Sequence, residues 1–231
     1  MNLDIRFMGD SALVIVYSTK HENNAASCTM PTDSNRIQLE TARIQQDYIS
    51  LYRELPKGIT DIVPCYSSIG VYYNPVLISP TDVEGFIRKR LTCGVGTVPA
   101  ESMIIPIPVR YGGEYGPDLK EAADILSMTP EEVIHEHCFK TYTVWAIGFL
   151  PGFPYMGRVS SKIVLPRKET PAGRVAAGSV AIAGYQTGIY PYDSPGGWYI
   201  IGRTDMKMFD PKRAEPCFLK PGDRVRFVRQ Q

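Results

Sequence analysis

The chain has 231 residues, of which 44% are hydrophobic and 21% are charged, and its formal net charge is +1. This balance is ordinary for a globular protein, and the length fits one large or two small domains. The basic residues form no stripe of the kind that binds nucleic acid, so we expect no nucleic-acid partner. No apolar run reaches the roughly 18 residues that a membrane-spanning helix needs, so we expect no membrane partner.

The N-terminal residues and the cysteines predict where the protein works. The first residues lack a basic start followed by an apolar run, so no signal peptide is predicted. The five cysteines are widely spaced and odd in number, which favours free thiols in a reducing compartment. We therefore expect a cytoplasmic protein. Cys138 follows His137 directly, but adjacent helix residues point in different directions, so a structural thiol is favoured over a Cys–His catalytic pair.

The first 92 residues predict a small α+β domain with the element order ββαββα. Apolar residues at helical spacing predict a first helix between residue 34 and Gly58, where glycine favours a helix end. The polar stretch at 20–34 predicts a loop before that helix. The strands are predicted from short apolar runs at 3–7, 12–17, 59–65 and 69–73.

The second helix of this half is predicted to begin at a capping box formed by Thr81 and Glu84 and to run to about residue 91. The stretch 93–103 that follows contains glycines and a proline but few large apolar residues, which is typical of a linker. The sequence therefore predicts two domains, at 1–92 and 104–231, joined by a protease-sensitive linker.

The second half predicts a mainly β domain. Its first strand, at 104–109, contains two prolines, so it is predicted to lie at a sheet edge. A second capping box, formed by Thr129 and Glu132 around a proline, predicts a helix that carries His137. Further elements are a short helix at 118–127 and short strands at 142–149, 175–183, 198–202 and 224–228, separated by loops dense in Gly and Pro. This pattern is typical of a β-barrel or sandwich.

The stretch 148–210 has the composition of a binding pocket. Glycines let a backbone approach a partner closely, and aromatic rings offer broad contact surfaces. Arginines among the interleaved polar groups are suited to holding an anion. The same composition also builds the corners of a small barrel, and both interpretations stay open. The aromatic residues are Phe149, Phe153, Tyr155, Tyr185, Tyr190, Tyr192, Trp198 and Tyr199, and the polar ones are Arg167, Gln186, Asp193 and Arg203.

Neither a metal site nor a phosphate-binding loop is predicted. Of the three histidines, only His135 and His137 are close in sequence, and residues two apart do not share a helix face. The sequence has no G-x-x-x-x-G-K-S/T loop. If ATP is used, this chain does not bind it through a P-loop.

Several long strings in the second half are similar to one known family. They are YGGEYGPDL at 111–119, GFLPGFPY at 148–155, AGSVAIAG at 177–184, QTGIYP at 186–191, SPGGW at 194–198, IGRT at 201–204 and PGDRVRF at 221–227, together with His137 and Pro166-Arg167. On these residues the chain resembles allophanate hydrolase subunit 1, also described as the 5-oxoprolinase B subunit and as a Kip-type histidine kinase inhibitor. Ala172, Ala176 and Asp205 replace the arginine and the two prolines that are usual in this family.

The resemblance implies a cyclophilin-like β-barrel for the second domain, after the α+β domain. It implies a component of an ATP-dependent 5-oxoprolinase, which opens the cyclic amide 5-oxoproline to glutamate. The implied partners are the family's subunit 2 (C subunit) and a lactam-utilisation-type A subunit, with ATP used at the level of the complex. The isolated chain is expected to be inactive. The alternatives are a regulator that binds a sensor histidine kinase and a carboxyltransferase component acting on urea or a related amide.

The resemblance also indicates a groove for a small-molecule amide. His137 and Gln186 are the predicted catalytic residues, one to move a proton and the other to donate to an oxyanion. Arg167 and Arg203 are predicted to bind a carboxylate or acyl phosphate. The predicted aromatic lining consists of Phe149, Phe153, Tyr155, Tyr190 and Trp198. For each polar residue, a purely structural role remains the alternative.

Overall fold

The computed structural model of the protein describes residues 4–17, 34–92 and 103–230. Contacts divide the chain into two compact units, Met1–Ala100 and Glu101–Gln231. The predicted linker at 93–103 lies outside the described residues apart from Met103, and the predicted loop at 20–34 lies outside them up to the start of the first helix. None of the helices in these described ranges is long and apolar enough to cross a membrane.

The first unit combines a four-stranded antiparallel sheet with two helices. Its elements are β1 (Asp4–Phe7), β2 (Ala12–Val16), α1 (Ser34–Tyr52), β3 (Ile59–Pro64), β4 (Ser68–Tyr73) and α2 (Pro80–Thr92). The strands lie in the order β1-β2-β4-β3. Alternate strand residues, such as Leu13 and Ile15 in β2 and Ile69 and Val71 in β4, are buried in one core with Ile87 of α2. The predicted order ββαββα is confirmed.

Helix α2 begins earlier than predicted. Ser79 takes the capping position, since its Oγ accepts a hydrogen bond from the Asp82 backbone N–H at 3.2 Å and donates one to the Asp82 carboxylate at 2.6 Å. The predicted box of Thr81 and Glu84 is wrong because Pro80 lacks an N–H and has a φ suited to the first helical position, which places the cap just before it. Glu84 instead forms an ion pair with the arginine one turn later.

The second unit is built around a closed barrel. Its elements are β5 (Ile104–Tyr111), α3 (Leu119–Leu126), α4 (Pro130–Phe139), β6 (Thr141–Ile147), β7 (Pro154–Gly157), a 3-10 helix (Ser161–Ile163), β8 (Ala172–Val175), β9 (Ser179–Ala183), β10 (Gln186–Ile189), β11 (Ser194–Gly196), β12 (Tyr199–Arg203) and β13 (Arg224–Arg229). The barrel order is β10-β7-β6-β13-β5-β12-β9, and β8 and β11 form a separate two-stranded ribbon. The predicted fold class, an α+β domain followed by a mainly β, cyclophilin-like barrel domain, is confirmed.

The proline-containing strand β5 does not lie at a sheet edge, because the barrel is closed and β5 has neighbours on both sides. It pairs in parallel with β13 along its first six residues, whereas β12 pairs only with Arg110 and Tyr111 at its end. Pro106 and Pro108 therefore have a strand partner on one side only. A closed barrel can tolerate two residues without N–H donors at such a local gap.

Two barrel strands were not predicted. The strands β7 and β10 consist largely of glycine, proline and polar residues, so they lack the apolar alternation that signals a strand. The strand predicted at 175–183 includes all of β9 but only Val175, the last residue of β8. Gly178, with φ of +80°, turns the chain between them, a conformation that favours glycine.

Helix α4 begins at the predicted capping box and packs against β13. Thr129 Oγ1 accepts a hydrogen bond from the Glu132 N–H at 3.2 Å, and Glu132 Oε2 accepts one from the Thr129 N–H at 2.7 Å. Val133, Ile134 and His137 form the buried face of this helix. The helix therefore presents His137 to the barrel core, where the ring stacks on Phe227 with centroids 4.4 Å apart.

Candidate substrate-binding surface

The five predicted aromatic residues form one cluster centred on Phe153. The Phe153 ring centroid lies 4.8 Å from that of Tyr155, 5.1 Å from that of Tyr190 and 5.5 Å from that of Trp198. Phe149 reaches the same cluster, 5.6 Å from Phe153 and nearly perpendicular to it. Edge-to-face contacts of this kind are favourable beyond the area that they bury. The structure therefore brings the whole predicted lining together, and we call it the aromatic surface.

The aromatic surface lies on the outer face of the barrel. Alternation along β9 sends Val180 and Ile182 into the barrel core, and Ala181 and Ala183 to the side where Phe153 lies. Small residues make room for the rings. A Cβ at Gly188 in β10 would lie 2.7 Å from the Phe153 ring, and one at Gly196 in β11 would lie 2.3 Å from the Tyr190 hydroxyl. The glycines of these strings therefore allow the rings to pack closely.

Phe149 has the conformation of a functional residue. Its φ is +65°, a left-handed conformation that is strained for a bulky side chain, and its side chain is 60% exposed. Phe153 and Tyr190 beneath it are almost fully buried. Strained backbone at an exposed aromatic residue is found where binding requires a particular presentation of the side chain. The aromatic surface therefore has a buried base and one raised, accessible ring.

Arg167 and Gln186 supply polar groups at this surface. Burial raises the pKa of Tyr190 to about 12, and the positive charge of the exposed Arg167 acts against that rise, so Arg167 lies within electrostatic range of Tyr190. Gln186 alternates with Thr187 in β10, so it lies on the same outer face as Gly188. Its Nε2 is buried and has no hydrogen-bond partner among the described residues. A buried unpaired donor is costly and is often explained by function.

His137 lies apart from this surface, in the barrel interior. Thr187 Oγ1 donates to the Ala181 carbonyl oxygen at 3.0 Å, so it accepts from His137 Nε2–H at 2.9 Å. His137 Nδ1 then accepts from the Tyr111 hydroxyl at 2.8 Å, and that hydroxyl oxygen accepts from Cys138 Sγ at 3.4 Å. Hydrogen-bond directions are thus consistent with one neutral tautomer.

The environment of His137 opposes ionisation. Its side chain is 0% exposed, and burial lowers the pKa of His137 to about 3 because the charged imidazolium loses its hydration. Both ring nitrogens already have partners inside the barrel. The predicted groove position of His137 is therefore wrong, whereas its predicted role in proton transfer stays a prediction.

Arg203 contacts residues away from the aromatic surface. The guanidinium lies over the ring of Tyr115, 4.8 Å from the centroid, and the aliphatic part of the Arg203 side chain lies beside Gly178. Tyr115 belongs to the glycine-rich loop after β5, not to the aromatic surface. Of the four polar residues that were predicted to share a groove, Gln186 lies on the outer face that carries the aromatic surface, and Arg167 lies within electrostatic range of Tyr190. His137 and Arg203 lie in other surroundings.

Asp118 and Lys168 form an ion pair that the sequence did not reveal. Lys168 Nζ lies 2.5 Å from Asp118 Oδ1 and 3.4 Å from Glu121 Oε2, and Asp118 Oδ2 accepts the Ile200 N–H at 2.8 Å. Burial lowers the pKa of Lys168, but its hydrogen bond with Asp118 and the two acidic charges outweigh burial, so the pKa is raised. Asp118 therefore ties the chain next to Arg167 to strand β12. In the sequence, only the position of Asp118 in the YGGEYGPDL string marks it as a residue of interest.

The comparisons with known proteins decide the family. A family model described as "Carboxyltransferase domain, subdomain C and D" matches residues 3–219. The chain belongs to this family. Within the carboxyltransferase-domain family it is 41% identical over 182 residues to the 5-oxoprolinase B subunit of Bacillus subtilis (strain 168), a match that covers 74% of this chain and 76% of that protein. The resemblance to the family of 5-oxoprolinase B subunits is confirmed.

Two solved structures are similar to this chain over nearly its whole length. A crystal structure of TTHA0988 is 33% identical with a TM-score of 0.76, and the match covers 95% of this chain but only 39% of that longer one. The Kluyveromyces lactis urea carboxylase has a TM-score of 0.69 at 18% identity, covering 99% of this chain and 22% of that one. At that identity the urea carboxylase likeness shows the fold alone.

Proposed function

We propose that the chain is the B subunit of an ATP-dependent 5-oxoprolinase complex that opens 5-oxoproline to glutamate. The observation that carries this proposal is the 41% identity to a 5-oxoprolinase B subunit across 76% of that protein's length. The proposed partners are the C subunit of the same family and a lactam-utilisation-type A subunit. The odd number of widely spaced cysteines supports a cytoplasmic complex.

The aromatic surface is the proposed contact for the substrate in this chain. 5-Oxoproline has one carboxylate and one cyclic amide, and its ring is mostly apolar. Arg167 is an exposed cation that can hold the carboxylate, and Phe149 is an exposed ring against which the lactam can pack.

Gln186 is the proposed donor to the reacting oxygen. Its unpaired Nε2 can donate to the lactam oxygen as negative charge develops there during ring opening. We place ATP binding elsewhere in the complex, because the sequence contains no P-loop.

Reconstitution tests the proposal. The purified chain, the C subunit and the A subunit are assayed for glutamate release from 5-oxoproline, together and with each one omitted, with and without ATP. We expect turnover only with all three proteins and ATP. No turnover by the complete, assembled mixture contradicts the proposed reaction, and robust turnover by the chain alone contradicts the proposed division of labour.

A carboxyltransferase component acting on urea or a related amide is the second candidate. The description of the matching family as a carboxyltransferase domain favours it. The two candidates differ in the co-substrate that they need. Carboxyl transfer from carboxylated biotin to an amide, measured with labelled bicarbonate and no 5-oxoproline present, supports the second candidate, and its absence in an assembly that releases glutamate supports the first.

A further inference from the structure

Two arginines face each other across neighbouring strands at one end of the barrel. Arg110 in β5 and Arg203 in β12 are direct register partners. Like charges placed directly opposite on adjacent strands repel, so such a pair needs compensation. The ring of Tyr115 lies beneath both, 4.2 Å from the Arg110 guanidinium carbon and 4.8 Å from that of Arg203. The electron-rich ring face stabilises both cations.

Among the described residues, one carboxylate pairs with these two positive charges. Asp205 Oδ1 lies 2.5 Å from Arg110 Nη2. Arg203 has neither an ion pair nor a hydrogen bond from its guanidinium in the part of the chain that the structure describes. The group of Arg110, Arg203 and Asp205 therefore keeps one unmatched positive charge.

The Arg110–Asp205 contact leaves part of the guanidinium unused. Arg110 Nη1 donates to the Tyr115 hydroxyl at 3.3 Å, and Nη2 donates to Asp205, but the buried Nε has no partner among the described residues. In the exposed pair of Arg174 with Asp193, by contrast, the carboxylate accepts from both Nε and Nη2. Asp205 thus shows that a carboxylate reaches this position, while it satisfies only half of the edge that a bidentate ligand uses.

We propose that Arg110 and Arg203 form an anion site for the carboxylate of a small molecule, and that Asp205 competes for it. The ligand carboxylate takes the Nε–Nη2 edge of Arg110 with its two oxygens and the free donors of Arg203 from the other side. Asp205 is 70% exposed in its side chain, and an exposed ion pair of this kind contributes little to stability, so a ligand can displace it. Tyr115 holds both guanidinium groups in place. This site is separate from the aromatic surface and does not depend on the proposed reaction.

Titration of the full chain with acetate, followed by the NMR signals of arginine Nε–H groups, tests the site. We expect saturable shifts of the Arg110 and Arg203 signals. The Asp205→Asn variant removes the competing carboxylate and should bind acetate about tenfold more tightly, since a nearby negative charge is lost. The Arg203→Gln variant should bind at least tenfold more weakly. Arg213→Gln, which changes an exposed arginine outside this group, serves as the matched control.

The outcomes separate the parts of the proposal. Inorganic phosphate and chloride are titrated beside acetate, and each variant is first shown to keep the wild-type melting temperature. If Arg203→Gln binds acetate as wild type does, or if neither wild type nor Asp205→Asn shows saturable binding, the site does not exist. If phosphate binds more tightly than acetate through the same two arginines, the anion site stands and its assignment to carboxylates is overturned.

Discussion

The barrel interior around His137 and the aromatic surface on the outer face differ in how completely their polar groups are satisfied. Inside, His137, Tyr111, Thr187 and Cys138 form one directional chain of hydrogen bonds that ends at a backbone carbonyl. Outside, Gln186 Nε2 has no partner among the described residues, Phe149 is strained and exposed, and Arg167 is exposed. The two regions lie on opposite faces of the same strands.

The difference separates stability from recognition. A fully satisfied buried network rigidifies the core, and removing one member leaves its partners unpaired. A buried unpaired donor and a strained backbone are each unfavourable without a ligand, and an exposed cation remains available to bind one. The interior therefore has the features of a structural device, and the outer face has those of a binding site.

The largest expected effect tests the outer face. Arg167→Ala in the reconstituted complex should cost about 3 kcal/mol of transition-state stabilisation, read from kcat/KM for 5-oxoproline, because the substrate carboxylate loses a charged hydrogen bond. Melting temperature and subunit assembly should stay at wild-type values, since Arg167 is exposed. Arg213→Ala, at another exposed arginine, is the control and should retain full activity. Wild-type kcat/KM in the Arg167 variant would remove the carboxylate contact from the proposal.

The next effect tests the interior. His137→Leu removes both hydrogen bonds of the ring, so the buried Tyr111 hydroxyl loses its acceptor and the Thr187 hydroxyl loses its donor. The free energy of unfolding should therefore fall by about 2–3 kcal/mol. Denaturant unfolding measures this change. Under conditions where the variant is folded, kcat/KM of the complex should match wild type if His137 is structural. A loss of activity in a fully folded variant would instead support the predicted proton transfer.

The pH dependence of stability is a second test of the barrel interior around His137. A histidine takes up a proton near pH 6.5 when it is unfolded, whereas burial lowers the pKa of His137 in the folded protein to about 3. Between these values the unfolded state binds more protons, so this histidine makes wild-type stability fall as the pH is lowered from about 6.5 towards 3. His137→Leu should reduce that slope by up to about 1.4 kcal/mol per pH unit. Equal slopes in the two proteins, measured by denaturant unfolding at several pH values, would show that His137 already ionises in the folded state.

Local rules predicted much of the fold, and most of their failures occur where distant residues decide the outcome. The capping box of Thr129 and Glu132 was predicted because its two partners are three residues apart. The box at Thr81 failed at short range, because Pro80 fixes the helix start. Strands β7 and β10 form because they pair with each other and close the barrel. Their own residues show no strand periodicity, so the sequence did not predict them.

The candidate site divides in the same way. The aromatic lining was predicted because its five residues occur in family strings and are all apolar enough to cluster. The partners of the polar residues were not predicted, because they depend on tertiary contacts. Lys168 meets Asp118 across 50 positions, and Arg203 meets Arg110 only because β12 pairs with β5. Sequence therefore grouped His137 and Arg203 with residues that the fold keeps apart from them.

The smallest expected effect concerns the strained residue Phe149. Phe149→Gly relieves the left-handed backbone strain, whereas Phe149→Ala keeps most of it, and both remove the exposed ring. We expect the Gly variant to be more stable than the Ala variant by about 1 kcal/mol, measured by denaturant unfolding. Both variants should show a raised KM for 5-oxoproline in the reconstituted complex, because the lactam loses the ring against which it packs. Tyr72→Ala, which removes an exposed aromatic side chain from the first unit, is the matched control and should leave the KM unchanged. If the Gly and Ala variants have equal stability, the left-handed conformation of Phe149 is not strained. If both retain the wild-type KM, the raised ring belongs to the packing of the barrel surface and the substrate binds without it.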